Sequence, residues 1–246
     1  MASFGLVFLL LLCSSTTAVL ADFAISYCNE NSTIASAQMS ANVDVVLGQL
    51  DSNTAKNGGF SIATYGQGND TVYGLGQCRK DFNTSACSSC IHFAASILRD
   101  SCSPFGNSTD ERAFADNCLV RYSDQKFFGI FDPNAVVNLP YSGKTSKVNN
   151  QNLFRKQVGI LMNDIISQAI DPANKLGFFG KGNITISASE TVYGTVQCTQ
   201  DVSTSTCSTC LNTGLSKFPT LCRKLKTNGC RILYGSCFLR YETDPF

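Results

Sequence analysis

The chain has 246 residues, a formal net charge of +1, 15% charged residues and 13 cysteines. A charge balance this even, with no basic stripe, leaves no footprint for nucleic acid and no long-range field to draw in an acidic partner. The cysteine count points instead to an oxidising compartment.

The first segment agrees with that compartment. Phe4 to Leu12 is apolar apart from Gly5, and polar residues Cys13 to Thr17 and then Val19-Leu20-Ala21 follow. The run is shorter than the roughly 20 residues a membrane-spanning helix needs. With small residues flanking a cut after Ala21, residues 1–21 read as a signal peptide. The expectation is a secreted, extracellular protein without a membrane anchor. Cys13 leaves with the leader, so an even twelve cysteines remain, which favours a disulfide framework over metal or free thiols. Five N-glycosylation sequons, at Asn31, Asn69, Asn83, Asn107 and Asn183, suit the same compartment.

Beyond the leader, Met39 to Leu50 places Val43, Val46, Leu47 and Leu50 on one helical face. Two β-rich runs follow, Phe60 to Tyr65 and Thr71 to Cys78, and a second helix is expected from Cys87 to Cys102, with Ala94, Ala95, Ile97 and Leu98 inward. Strands are expected at Ala113 to Tyr122 and at Lys126 to Phe131. Pro, Gly, Ser, Asn and Lys then collect in residues 133–150, which read as a linker. A helix at Phe154 to Ile170, with Val158, Leu161, Ile165 and Ala169 inward, opens the second half.

That half repeats the first. Thr71-Val-Tyr-Gly-Leu-Gly-Gln-Cys78 recurs as Thr191-Val-Tyr-Gly-Thr-Val-Gln-Cys198, and twelve of twenty positions in the window are identical at an offset of 120. Cys118-Leu-Val-Arg-Tyr122 recurs as Cys237-Phe-Leu-Arg-Tyr241. A period this long means tandem domains, not solenoid units. The expected organisation is residues 22–132 and 151–246 as two modules. Each is α+β, with two helices packed on one face of an antiparallel sheet and three disulfides. Tyr73 and Tyr193, in the repeated Val-Tyr-Gly, are expected to pack against the helices.

Both modules carry Cys-x8-Cys-x2-Cys: Cys78, Cys87, Cys90 and Cys198, Cys207, Cys210. A Cys-x2-Cys pair can be a zinc half-site, a redox pair or structural half-cystines. The single His92 cannot supply a second zinc ligand pair, and the secreted context favours cystines. His92 reads as a helix-surface residue. There is no Gly-x-Ser-x-Gly elbow and the sequence gives no spacing signal for a carboxylate pair, so no catalytic residue, metal or cofactor is expected.

Read whole, the pattern resembles the ginkbilobin-homologous, or stress-antifungal, domain of plants, in the two-domain form of the cysteine-rich repeat secretory proteins. The resemblance rests on Val-Tyr-Gly-x-x-Gln before the first cysteine of the trio, a fourth cysteine after eleven further residues, and the closing Cys-x-x-x-Tyr. It implies the bridges Cys28–Cys102, Cys78–Cys87 and Cys90–Cys118 in the first module. The second module departs from the pattern: no cysteine lies between Cys118 and Cys198, and Cys230 is new. The bridges expected there are Cys198–Cys207, Cys210–Cys237 and Cys222–Cys230.

The resemblance also implies a sugar site. The family's mannose-binding antifungal member uses an Asn after the first cysteine, an Arg before the last and a Glu beyond it. Those positions fall on Asn29, Arg112 and Ser123 (with Asp124 adjacent) in the first module, and on Arg231 and Glu242 in the second. Arg offers donors, a carboxylate acceptors and an amide both, which suits sugar hydroxyls. Two functions follow. One is a non-enzymatic defence protein of the apoplast that binds mannose-containing glycans or cell-wall carbohydrate and is antifungal. The other is a protein-interaction or signalling module that pairs with related ectodomains of receptor kinases or plasmodesmata-located proteins.

Overall fold

The computed structural model describes residues 24–29, 36–100, 108–134, 136–140, 150–222 and 229–246. The first module runs β1 (Ala24–Cys28), α1 (Ala37–Asn53), β2 (Phe60–Tyr65), β3 (Val72–Cys78), α2 (Thr84–Asp100), β4 (Asp110–Ala115) and β5 (Cys118–Ser123). The second runs β6 (Val137–Pro140), α3 (Gln151–Ile170), β7 (Phe179–Ser187), β8 (Glu190–Cys198), α4 (Thr204–Lys217), β9 (Cys230–Leu233) and β10 (Cys237–Glu242). Each forms a five-stranded sheet, in the orders β1-β4-β5-β3-β2 and β6-β9-β10-β8-β7, and all pairings are antiparallel.

Side-chain caps start all four helices, Asn83 Oδ1 capping α2 through Ala86 N. Ser36 Oγ accepts from Met39 N, Asn150 Oδ1 from Leu153 N and Ser203 Oγ from Thr206 N, each satisfying an orphan donor of the first turn. The apolar stripes then bury. Val46, Leu47 and Leu50 of α1 and Ile91, Ala94 and Ala95 of α2 are fully enclosed against Val72, Ala113 and Val120. Met162, Ile165 and Leu211 do the same against Val192, Val196 and Leu239.

Five disulfides are formed among the described residues: Cys78–Cys87, Cys90–Cys118, Cys198–Cys207, Cys210–Cys237 and Cys222–Cys230. The first four tie the N-terminal part of α2 or α4 to the ends of two central strands. The fifth ties the π-helical turn after α4 to β9. Cys28 is disulfide-bonded, and Cys102, its expected partner, lies outside the described residues.

The structure departs from the sequence reading in three places. A strand precedes the first helix of each module, and one of these, β6, lies within the stretch read as linker, where it pairs with β9. Lys126 to Phe131 forms no strand. Its aromatic residues cover the sheet instead, with Phe128 edge-on to Tyr73 at 5.9 Å. The tyrosines of Val-Tyr-Gly point away from the helices. Their neighbouring glycines face them, because a Cβ on Gly74 would sit 2.2 Å from Val46 Cγ1. The motif's glycine admits the helix, and its tyrosine consequently lies on the opposite face.

That opposite face is where the modules meet. Phe114 and Leu119 of the first sheet and Leu139, Leu233 and Phe238 of the second line a common cavity. The layers run helix, sheet, sheet, helix. Four hydrogen bonds related by a pseudo-two-fold axis lock the centre. Gln77 Nε2 donates to Cys198 O at 2.9 Å and Gln197 Nε2 to Cys78 O at 3.0 Å. Lys80 N donates to Gln197 Oε1 at 3.1 Å and Gln200 N to Gln77 Oε1 at 2.8 Å. The glutamine of the repeated motif is thus the residue that joins the two copies.

Candidate functional site

The residues matched to the sugar trio are organised by strand register. Arg112 of β4 lies opposite Arg121 of β5, and Arg231 of β9 opposite Arg240 of β10. Like charges directly across a ladder repel, so each pair requires a carboxylate. In the second module Glu242 supplies it. Its Oε1 accepts from Arg231 Nε at 2.9 Å and Arg240 Nε at 2.7 Å, and its Oε2 from Arg240 Nη2 at 2.9 Å. In the first module Asp110 does the same work, accepting from Arg112 Nη2 at 3.2 Å and from Arg121 Nε and Nη2 at 3.3 Å. Ser123 only accepts a turn bond from Gln125 N, and Asp124 joins neither arginine.

Both clusters are roofed. Phe127 covers the Arg121 guanidinium at 3.9 Å and Phe246 that of Arg240 at 3.8 Å, a cation–π arrangement. The other module closes each cluster further. Asp116, in the β4–β5 turn, forms an ion pair with Arg231 Nη1. Gly235, in the β9–β10 turn, fits against the first module's pair, where a Cβ would come 2.9 Å from Arg121 Nη1 and 3.4 Å from Arg112 Cζ. The two turns are counterparts, so each module's hairpin caps the other's arginines. As a result Arg112 is 3% exposed and Glu242 2%. Burial lowers the pKa of Arg121 and Arg240 from the ordinary arginine range.

The cavity left between the modules is about 60 Å³, lined among others by Arg79, Asp116, Gln197, Arg231 and Arg240. It has room for a few waters and none for a pyranose. A second clamp lies beside it. Arg79 donates to both oxygens of Asp81 at 2.9 and 2.8 Å, Lys181 Nζ of the other module reaches Asp81 Oδ2 at 2.6 Å, and the Phe246 carbonyl accepts from Lys181 at 2.9 Å. Burial works to raise the Asp81 pKa, but hydrogen bonds from Arg79 and Lys181 outweigh it and the net shift is downward.

Asn29 follows β1, donating its backbone N–H to Asp110 O at 3.1 Å and accepting from Ser108 Oγ at 3.0 Å. It therefore flanks the first cluster. In the second module β6 pairs Pro140 with Cys230 as β1 pairs Cys28 with Glu111, so the residue at the Asn29 position is Tyr141, outside the described residues. Sequence reasoning missed Asp110, Arg121 and Arg240. The repeated Cys-x-x-Arg-Tyr held the signal for the two arginines. His92 is on the surface of α2, with Nδ1 2.9 Å from Asp51. Among the described residues no group of three His, Cys, Asp or Glu side chains is placed to hold a metal. Of the sequons, Asn69, Asn83 and Asn183 are exposed, and Asn31 and Asn107 lie outside the described residues.

A family model described as salt stress response/antifungal matches residues 27–125 and 141–244. The chain is 38% identical over 241 residues to Cysteine-rich repeat secretory protein 55 of Arabidopsis thaliana, covering 97% of this chain and 87% of that one. It is 32% identical to Antimicrobial ginkbilobin-2-like protein of Castanea crenata, covering 97% and 95%. Cysteine-rich receptor-like protein kinase 14 of Arabidopsis thaliana is 31% identical over 83% of this chain, a stretch that makes up 30% of the kinase. Among solved structures, the tandem DUF26 ectodomains of the Arabidopsis thaliana cysteine-rich receptor-like proteins PDLP5 and PDLP8 have the same fold. Their TM-scores are 0.69 and 0.72 at 24% and 22% identity, and each match covers 90% of this chain and 98% of the ectodomain.

Proposed function

We propose, from the premise that this chain belongs to the salt stress response/antifungal family and carries two tandem copies of its domain, that it works outside the cell as a non-enzymatic recognition protein whose partner is another protein. The observation that carries this reading is the enclosure of both arginine–carboxylate clusters between the modules. A sugar hydroxyl needs donors and acceptors that it can reach. Here the guanidinium groups of Arg112, Arg121, Arg231 and Arg240 are engaged by Asp110, Asp116 and Glu242. Binding mannose at Arg112 or Arg231 would require parting the sheets, with loss of the four glutamine bonds and the Asp116–Arg231 pair. The trio serves as a lock, and recognition falls to the outer surface of a two-module body. Related receptor-like kinases carry the same pair of modules, which favours related ectodomains as partners.

A second reading keeps the sugar: an apoplastic antifungal protein that binds mannose through Asn29, Arg112, Ser123, Arg231 and Glu242. Its support is the end-to-end likeness to a relative named as antimicrobial. The two readings separate in one pair of measurements. The chain is titrated with mannose to millimolar concentration while amide shifts are followed by NMR, and is presented to a panel of family ectodomains in a biolayer assay. The protein-partner reading expects unchanged spectra and saturable binding to at least one ectodomain. Saturable mannose shifts that vanish in Arg112→Ala, with no ectodomain bound, would overturn it.

A further inference from the structure

We propose that Asn183 carries an N-linked glycan whose first N-acetylglucosamine lies on the ring of Tyr193, at the free edge of the helix-free face of the second sheet. Asn183 of β7 is directly opposite Tyr193 of β8. Both point away from the helices. The flanking Gly182 and Gly194 face α3, where an added Cβ would meet Leu161 and Ile165 at 3.1 to 3.3 Å. Asn183 is exposed and Tyr193 half-buried. Directly opposed residues have Cβ atoms about 5 Å apart, within reach of a sugar joined to the asparagine amide. The apolar C–H face of a pyranose suits the face of an aromatic ring.

The first module shows what that position requires. There Thr64 is opposite Tyr73, and Phe128 stacks edge-on against the tyrosine ring at 5.9 Å. Among the described residues no aromatic ring stacks on Tyr193. The second module thus has the same tyrosine without its cover, and it has a glycan acceptor, Asn183-Ile184-Thr185, where the first module has Thr64. β7 is also an edge strand, and a glycan on it blocks edge-to-edge pairing. The other two exposed acceptors differ: Asn69 is in a 3-10 turn, and Asn83 caps α2 by accepting from Ala86 N at 2.9 Å.

The sequon hydroxyl, Thr185 Oγ1, is hydrogen-bonded to Thr191 Oγ1 at 3.3 Å in the folded strand, so the transfer occurs before the hairpin closes. Asn183 Nδ2 forms a bond to C1 of a lipid-pyrophosphate-linked oligosaccharide. The C1–O bond breaks, the lipid pyrophosphate leaves with the electron pair, and the amide gives up one proton.

The test uses the full chain secreted from a eukaryotic host. Glycopeptide mapping reads occupancy at Asn183. Melting temperature is then compared for the glycosylated protein, the same folded protein after enzymatic deglycosylation, Asn183→Gln, Tyr193→Thr and the double variant. Asn183 is expected to be occupied, and removing its glycan to lower Tm by about 2–4 °C. In the Tyr193→Thr background that loss is expected to fall by more than half. An unoccupied Asn183, or an equal Tm loss with and without the tyrosine ring, would overturn the proposal. Deglycosylating the folded protein keeps the comparison available if Asn183→Gln is poorly secreted.

Discussion

Asp110 lies directly across the β4–β5 ladder from Ser123, and in the first module it does what Glu242, the counterpart of Ser123, does in the second. The carboxylate has moved one strand sideways without leaving its arginine pair. Removing it should be costly. In Asp110→Asn, Arg112 and Arg121 remain side by side, with burial already opposing the charge of Arg121. We expect a loss of about 2 kcal/mol in urea unfolding, below the range for a fully enclosed pair, because Asp110 keeps 18% of its side chain exposed. Adding Ser123→Glu to Asp110→Asn restores the second module's arrangement and should recover at least half of the loss. A double variant no better than Asp110→Asn alone would show that the two positions are not interchangeable.

The glutamine lock predicts non-additivity. Gln77→Ala and Gln197→Ala each remove two intermodule bonds and leave buried backbone groups unpaired, a cost of about 2 kcal/mol apiece. The two side chains share one buried patch, so the double variant should cost clearly less than the sum. Calorimetry should show one transition in the wild type and two, one per module, in the double variant. A single sharp transition in the double variant would mean that the apolar layer around Phe114 and Phe238 suffices to couple the modules.

Glu111 makes stability depend on pH. It is 1% exposed on β4, its Oε1 accepts from Ser108 N at 3.1 Å, and burial raises its pKa from 4.5 to about 7. The folded state therefore holds this proton over a window in which the unfolded chain has lost it. The stabilisation is complete below pH 4.5 and is lost as pH rises through 7, amounting to roughly 3 kcal/mol at most. Denaturation midpoints taken from pH 4.5 to 8 should decline, and Glu111→Gln should flatten that decline. A midpoint that instead rises over this range in the wild type would refute the assignment.

Much of this architecture was legible in the chain. The offset of 120 fixed two modules, the helical stripes marked α1, α2 and α3, and the resemblance carried the four bridges the modules share, Cys78–Cys87, Cys90–Cys118, Cys198–Cys207 and Cys210–Cys237. What stayed hidden is lateral. A comparison along the chain aligns Ser123 with Glu242, but it cannot see that Asp110 is the neighbour of Ser123 in space. Face was hidden too. Strands β3 and β8 pack on helices on one side and, at Gln77 and Gln197, on the other module on the second, so no alternation tells which side a residue takes. Tyr73 and Tyr193 accordingly read as helix-side residues, and Lys126 to Phe131 reads as a strand because it is apolar enough to cover one.

The same sideways step accounts for the third bridge and gives the last prediction. β1 pairs Cys28 with Glu111, and β6 pairs Pro140 with Cys230. The second module's cysteine thus stands where the first has Glu111, one strand inward from Cys28. Cys222–Cys230 closes a segment with a sequence separation of 8, against 27 for Cys210–Cys237. Loop closure assigns roughly 2.5 kcal/mol to the shorter and about 3.5 kcal/mol to the longer. Replacing both cysteines of a bridge by serine should follow that order, Cys210/Cys237 costing about 1 kcal/mol more than Cys222/Cys230 in denaturant midpoints. The shorter bridge also joins the π-helical turn after α4 to a strand that bears Arg231, so its loss should loosen the Arg231–Asp116 contact and reduce coupling between the modules. Hydrogen exchange on β9 in the Cys222→Ser/Cys230→Ser variant reads this directly. Unchanged protection at Arg231 would show that the β9–β10 ladder alone holds the arginine in place.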